Sequence, residues 1–530
     1  MKQNKKKNIL FGFIAVFLFF AITEAVSRFF SQTGSFDYVE RCIIEQHLAQ
    51  KKRNDEIRIF LYGESTMHGS HLYKKSTIKK WIELYLENLL GKEIAGRTTI
   101  INFGRVGYDS RFIAQSFLDT IGYKPDLAVF YSVHNDFVFL ENRQQILERP
   151  SPFKRVEAFF KNVVRRSAFV TILRRLSVQG KIQGQNQKQA QAALNDLNKW
   201  YDETEKKNRE PQTNLLYPGS EKFKTIERKW QENIYKIIDR GQRNRIPVLF
   251  LNGIANLKDF PPYESVHQEG LVRDDLLVWQ ALFEQAERKF GENNLAESIV
   301  LYQKAAELDP DYALGYFRLG KCFEALGDYP KAESYYLAAN DHDRFPTRAP
   351  SVVNGFYAKL ADDHLKGVNV LDIKTVFEEH SPHGLIGRDL VVDHMHPTIE
   401  GQALIALEIV KLIYANDLLT PKENWHWDRL KPAEELKLSL GIDKDFEYEN
   451  YMYLANFVGS YLEQAAEYLE KALAIKPHSI AAKSRLAWTY WQIGRKEEAD
   501  QLYRELIEQA PEQSREFLQN HPEILHKIEN

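Results

Sequence analysis

Four short apolar runs rich in β-branched and aromatic residues, at 57–62, 99–103, 127–132 and 247–252, alternate with longer stretches of helical period. A fifth run of the same kind stands at 368–371. Such runs are short for buried helices and of the right length for buried strands. The stretches between them, at 77–90, 111–121, 223–240, 352–365 and 400–413, carry apolar residues at helical spacing. Strand–helix alternation predicts a flavodoxin-like parallel sheet of about five strands with helices on both faces. Ligands of such sheets bind beyond the carboxyl ends of the strands. The stretch IRIFLYGESTMHGSHL, residues 57–72, therefore sets Ser65 at that edge, two residues after the glycine that closes the first strand.

A serine hydroxyl is a poor nucleophile at neutral pH. It needs a base within hydrogen-bond reach and donors for the oxyanion it creates. The second strand runs into IINFGRVGYDS, where Gly107 lets a backbone N–H approach a ligand closely. The third runs into FYSVHNDF, where the side-chain amide of Asn135 can donate without adding charge. Far downstream, VVDHMHPTIEGQALIA places Asp393 three residues before His396, just ahead of a helix opening at Thr398. An aspartate so placed can hold the imidazole by its Nδ1–H and leave Nε2 to take a serine proton.

These four blocks, in this order, resemble the SGNH (GDSL-type) serine hydrolase superfamily. The resemblance covers about 57–137, 245–255 and 340–415 and skips the inserted segments. It implies a catalytic Ser65–His396–Asp393 triad and an oxyanion hole formed by Ser65, Gly107 and Asn135. Gly104 competes with Gly107 for the second-block role; Gly107 is preferred because Tyr-Asp-Ser follows it. The chain departs from the family pattern at Glu64, where aspartate is usual, and in the third block, where Val133 stands in place of the glycine of G-x-N-D and His134 precedes the asparagine. Glu64, His68, His134 and His394 are candidates for the substrate groove. An α/β-hydrolase elbow is disfavoured, because Met67 stands where its second glycine would be. No metal ligand set or cofactor is expected: the histidines near the strand ends lack HExxH or CxxC spacing.

Two segments repeat themselves. SIVLYQKAAELDP, from Ser298, is followed 34 residues on by AESYYLAANDHD, and near the C-terminus two helix-ending prolines, Pro477 and Pro511, are again 34 apart. These resemble tetratricopeptide repeats, stacked helical hairpins that commonly present a groove to a protein partner. The first pair is expected to rim the catalytic edge and the second to trail it as a C-terminal cap.

The N-terminus carries four lysines in MKQNKKKN, then the apolar run ILFGFIAVFLFFAI. This reads as a transmembrane signal anchor, or a cleaved signal peptide, with the bulk of the chain on the periplasmic or extracellular side of the cytoplasmic membrane. The chain of 530 residues is then expected to divide into the anchor at 1–28, hydrolase parts at 50–150, 223–275 and 343–418, a basic helical insertion at 151–222, inserted repeats at 276–342 and C-terminal repeats at 440–525. The basic insertion has an apolar stripe that suits a packed surface helix or an anionic membrane face. A net charge of −2 gives no field toward nucleic acid. The two cysteines, Cys42 and Cys322, read as unpaired thiols.

The functional expectation is a membrane-anchored, exported serine esterase or O-acyltransferase with an acyl-ester substrate, O-acetyl groups of an envelope polysaccharide foremost. The alternatives are a tetratricopeptide-type scaffold for an export or polysaccharide-assembly complex, with the hydrolase fold used for binding, and a lipid esterase.

Overall fold

The computed structural model describes residues 52–69, 75–138, 215–459 and 461–509. The expected anchor, Cys42, His71 and most of the basic insertion lie outside the described residues. Among the described residues no helix is long and apolar enough to cross a membrane. The chain divides into two compact units, one holding residues up to 68 and 96–387, the other 69–95 and the chain from 388 onward.

The first unit is built on a five-stranded sheet in the order β2-β1-β3-β4-β5. Its strands are β1 (Ile57–Gly63), β2 (Thr98–Asn102), β3 (Leu127–Tyr131), β4 (Val248–Leu251) and β5 (Val368–Leu371). All pairings are parallel. The strands match the apolar runs because a central parallel strand is buried on both faces and so reads as a continuous hydrophobic string. Ile59, Phe60, Leu61 and Tyr62 are each fully buried. On one face Tyr62 stacks on Phe103 and Phe130, with centroids 5.1 and 5.0 Å away, and Phe130 stacks on Phe250 at 5.3 Å.

The crossovers carry helices. Helix α3 (Ser110–Thr120) is capped by Asp109, whose carboxylate accepts from the N–H groups of Arg111 and Phe112. Helix α5 (Glu221–Asn244) is capped by Ser220 and buries Trp230 against the sheet; the Trp230 indole donates to the Ser132 carbonyl at 3.0 Å. The Tyr357 hydroxyl, from α10 (Ser351–Asp362), donates to the same carbonyl at 3.1 Å. Two large side chains thus fix the chain where it leaves β3. A Cβ on Gly63 would lie 2.7 Å from the Tyr131 carbonyl and 2.8 Å from the Met67 Cβ, so the turn that presents Ser65 requires glycine there.

Between β4 and β5 the first unit also carries two helix pairs: α6 (Arg273–Gly291) with α7 (Leu295–Leu308), and α8 (Ala313–Ala325) with α9 (Tyr329–Asp341). The Tyr336 ring lies 2.5 Å from where a Cβ of Gly320 would sit, so α8 and α9 cross at a glycine. Cys322 is buried as a free thiol in this pair's core.

In the second unit α2 (Ile78–Ala95) packs on α12 (Ile399–Ala415). The Trp81 indole donates to the Ser76 hydroxyl at 2.8 Å, and that hydroxyl bonds Gln402 at 3.1 Å. Four further helices, α13 (Lys444–Phe457), α14 (Leu462–Ile475), α15 (Ile480–Gln492) and α16 (Lys496–Gln509), share a core of Leu454, Tyr468, Leu469, Leu486 and Tyr503.

Candidate active site

The first unit brings the ends of β1, β2 and β3 together. Ser65 opens a single helical turn, α1 (Ser65–His68), directly after β1, and is 8% exposed. The neighbouring strands deliver Gly107 from the turn after β2 and Asn135 from α4 (Asn135–Val138) after β3. These ends are laced to one another. Asn102 Nδ2 donates to the Met67 carbonyl at 2.6 Å, Arg105 N–H donates to the Gly63 carbonyl at 3.0 Å, and Asn135 Nδ2 donates to the Tyr108 carbonyl at 2.8 Å.

The two second-block glycines have different tasks. A Cβ on Gly104 would meet the backbone of Met67 and His68 within 3 Å, so Gly104 is needed for close packing under the turn that carries Ser65. Its N–H is spent on Asn102 Oδ1 at 2.8 Å. Gly107 instead adopts φ +74°, a left-handed conformation that costs other residues strain. Among the described residues its N–H has no partner.

Two of the four candidates for the substrate groove, Glu64 and His134, are buried. Glu64 is 1% exposed, and its Oε1 accepts from the backbone N–H groups of Val133, His134 and Asn135 at 2.9, 3.1 and 3.3 Å. It ties the end of β1 to the Asn135 loop. Its side chain faces those amides, and glutamate reaches three of them in succession. His134 is 1% exposed. Its Nδ1 accepts from the Ala349 N–H at 2.9 Å, which puts the proton on Nε2, facing the Tyr131 hydroxyl at 3.0 Å. It braces the loop from beneath. His68 is half-buried on the last position of α1.

Asp136, which sequence reasoning passed over, is the third brace. Its carboxylate accepts from Ser110 N–H at 2.9 Å and from the Ser110 hydroxyl at 2.6 Å. Burial, reinforced by the charge of Asp109, pushes it up to about 7 against the pull of those bonds. Burial, with the Asp136 charge, likewise pushes Glu64 up to about 8, although its three backbone donors act the other way. Both folded-state values lie above the ordinary ones, so the folded chain keeps protons that the unfolded chain has released. The stability these groups contribute is full below about pH 4 and is lost as pH rises toward 7 and 8. Glu64→Gln keeps an acceptor for the three N–H groups and removes the charge. Its urea midpoint is expected to fall less between pH 5 and 9 than that of the wild type, by about 1–3 kcal/mol in unfolding free energy. Parallel pH curves for the two proteins would refute that reading.

The second unit holds the other half of the expected triad. Residues 390–398 form a tight loop, closed by Val392 N–H to the His396 carbonyl at 2.8 Å and Thr398 N–H to the Leu390 carbonyl at 2.8 Å. Thr398 then caps α12 by accepting from Gly401 N–H at 3.1 Å. Within the loop Asp393 Oδ2 lies 2.7 Å from His396 Nδ1. The other oxygen, Oδ1, accepts from the N–H groups of Met395 and His396 at 2.9 and 2.8 Å. Asp393 is buried, which alone would raise its pKa. The imidazole of His396, by charge and by hydrogen bond, outweighs that and holds the carboxyl well below its usual range.

The C-terminal helices do more than trail as a cap: they grip this loop. The Tyr468 hydroxyl donates to the Val392 carbonyl at 2.6 Å. The Tyr461 hydroxyl meets His394 Nε2 at 3.1 Å, and Phe457 stands edge-on to the His396 ring with centroids 6.0 Å apart. Arg388 pairs with Glu467 at 2.7 Å. His394 thus engages a tyrosine of the repeat. No sequence motif marks these tyrosines, which lie 67 and 76 positions from their partners. Ser65 belongs to the first unit and the Asp393–His396 dyad to the second. Among the described residues no cluster of histidine, cysteine or carboxylate side chains has the arrangement to hold a metal ion.

Comparison with known proteins finds tetratricopeptide repeats in both places where the sequence repeats itself. Models described as tetratricopeptide repeat match residues 462–518 and 313–343, and one described as TPR repeat matches 288–327. No curated protein matches the chain. Among solved structures, a proposed acylhydrolase from Bacteroides fragilis is similar over 72% of this chain and 99% of its own, at 12% identity and a TM-score of 0.31. A GDSL-like lipase from Bacteroides thetaiotaomicron is similar over 72% and 98%, at 12% identity and a TM-score of 0.29. YrrB, a TPR protein with an unusual peptide-binding site, covers 47% of this chain and 91% of its own, at 17% identity and a TM-score of 0.14. GDSL-like hydrolases and tetratricopeptide proteins, the two families the sequence resembles, both appear among these neighbours.

Proposed function

We propose that the chain is a serine hydrolase of SGNH type in which Ser65 attacks an acyl ester. The observation that carries the reading is the Asp393–His396 dyad, with one carboxylate oxygen on Nδ1 at 2.7 Å and the other on two backbone N–H groups. A carboxylate so bound fixes the tautomer that leaves Nε2 as a base. In the proposed reaction His396 takes the Ser65 proton as the hydroxyl adds to the carbonyl. The Gly107 N–H, the second hydrogen of Asn135 Nδ2 and the Ser65 N–H receive the oxyanion. His396 then returns the proton to the departing alkoxide. Water, or the hydroxyl of an acceptor sugar, resolves the acyl-enzyme by the same steps in reverse.

The proposed setting is the outer side of a cytoplasmic membrane, which the lysine cluster and apolar run at the N-terminus support. The proposed substrates are O-acyl groups of envelope polysaccharide, with lipid esters the next class. The tetratricopeptide repeats support a protein partner in addition. A scaffold role without chemistry is the competing reading, and a single measurement separates the two. A fluorophosphonate probe is expected to label the chain once, on the peptide containing Ser65, as mapped by mass spectrometry. Absence of labelling, or an adduct on another serine, would overturn the catalytic assignment.

A further inference from the structure

In the proposed reaction, on which this inference rests, Asn135 must hold the second hydrogen of Nδ2 on the place where the oxyanion forms. Displacing such a donor by about 1 Å can cost about 100-fold in rate. The first hydrogen is spent on the Tyr108 carbonyl at 2.8 Å, and Glu64 grips the backbone of residues 133–135. A second grip comes from His134, the residue just before the amide. Its carbonyl accepts from Phe137 N–H at 3.0 Å and so closes the turn that Asn135 opens. Its imidazole, 1% exposed, is engaged at both nitrogens. Nε2 faces the Tyr131 hydroxyl at 3.0 Å, a local contact within the same segment. Nδ1 accepts from Ala349 N–H at 2.9 Å, a bond that reaches 215 positions along the chain.

Ala349 makes a firm anchor. Its carbonyl accepts from Asn340 Nδ2 at 3.0 Å, and Asn340 belongs to α9, the last helix of the inserted repeats. The preceding residue, Arg348, is 1% exposed and donates from Nη1 to the carbonyls of Phe260 and Asn256 at 2.7 and 3.2 Å. Two residues further on, Ser351 N–H donates to Oδ1 of Asp341, which ends α9, at 2.8 Å. The segment 348–351 is thus pinned at once to the inserted repeats and to the chain that follows β4.

We propose that His134 is a positioning residue for Asn135, and that through Ala349 and Asn340 the inserted repeats set where that amide stands. His134 touches no reacting atom in this scheme. The lone pair of its Nδ1 is spent on Ala349, so it acts through Asn135 and not as a base.

Two substitutions separate the two imidazole bonds. Asparagine puts an acceptor at the level of Nδ1, within reach of Ala349 N–H, and gives up the Tyr131 contact. Glutamine puts its amide at the level of Nε2, keeps the Tyr131 contact and gives up Ala349. The full chain is assayed in mild detergent with p-nitrophenyl acetate. His134→Gln is expected to lower kcat by about tenfold or more, with KM changed less than about threefold. His134→Asn is expected to keep kcat about fivefold or more above that of His134→Gln, and the rate of fluorophosphonate labelling at Ser65 should follow kcat in both. Equal kcat in the two variants, a loss confined to His134→Asn, or a rise in KM as large as the fall in kcat would each overturn the proposal. Should His134→Gln fail to fold, Asn340→Ser decides. It removes the donor to Ala349 from the far end and is expected to lower kcat by about threefold or more at unchanged KM, and wild-type turnover there would refute the link. A wild-type chain that takes up no probe at Ser65 would remove the hydrolase reading itself. A labelled wild type whose variants all match it would sink the positioning role alone.

Discussion

Replacing Ser65 by alanine is expected to lower kcat for p-nitrophenyl acetate by about 10³–10⁶-fold and to abolish fluorophosphonate labelling. The size of the effect follows from what one oxygen does. In the proposed reaction no acyl-enzyme forms without it, and the proposed oxyanion donors alone would supply only the residual acceleration that binding and polarisation give. The substitution removes one buried hydroxyl at the start of a single helical turn, so the fold should survive it. Alanine can occupy the same backbone conformation, and Glu64 still holds the Asn135 loop through its three N–H groups. An alanine variant with wild-type turnover would show that hydrolysis, if present, arises elsewhere.

Asp393→Asn is expected to cost about 10³–10⁴-fold in kcat with little change in KM. Asparagine is the same size and keeps an acceptor for the Met395 and His396 N–H groups. The loop should therefore stay closed. What changes is the partner of His396 Nδ1. The amide can turn its NH2 group toward that nitrogen, which then accepts, and the imidazole proton moves to Nε2. A base with its proton already on the working nitrogen cannot take another from Ser65. The loss should be partly recovered at high pH, where hydroxide competes for the serine proton. A variant retaining more than a tenth of wild-type kcat would remove Asp393 from the mechanism, and an equally large rise in KM would point to a structural role instead.

The sheet was legible because its central strands, buried on both faces, read as nearly continuous apolar runs. All five runs became strands, with ends moved by a residue at most. The helix at 77–90 extends to Ala95 past Gly91, whose positive φ marks a kink that periodicity does not encode. The Asp393–His396 pair was legible because its partners are three residues apart and local backbone geometry suffices to join them. The role of Glu64 was not. From sequence it looked like a lengthened aspartate facing a groove, and only the pairing of β1 with β3 brings the amides of residues 133–135 to its carboxylate. His134 was hidden for a similar reason: its partner Ala349 lies 215 positions away, beyond an inserted pair of repeats. Long-range hydrogen bonds of this kind leave no periodicity behind.

The hydroxyl of Tyr468 on the carbonyl of Val392 has a bearing on how such a chain can be dissected or inherited. A fragment ending before α13 would keep Asp393 and His396 in sequence and lose the tyrosines and the phenylalanine that steady them. A repeat module grafted in its place would need to bring a hydroxyl to the Val392 carbonyl and a ring to the side of His396 to hold the loop in the same way.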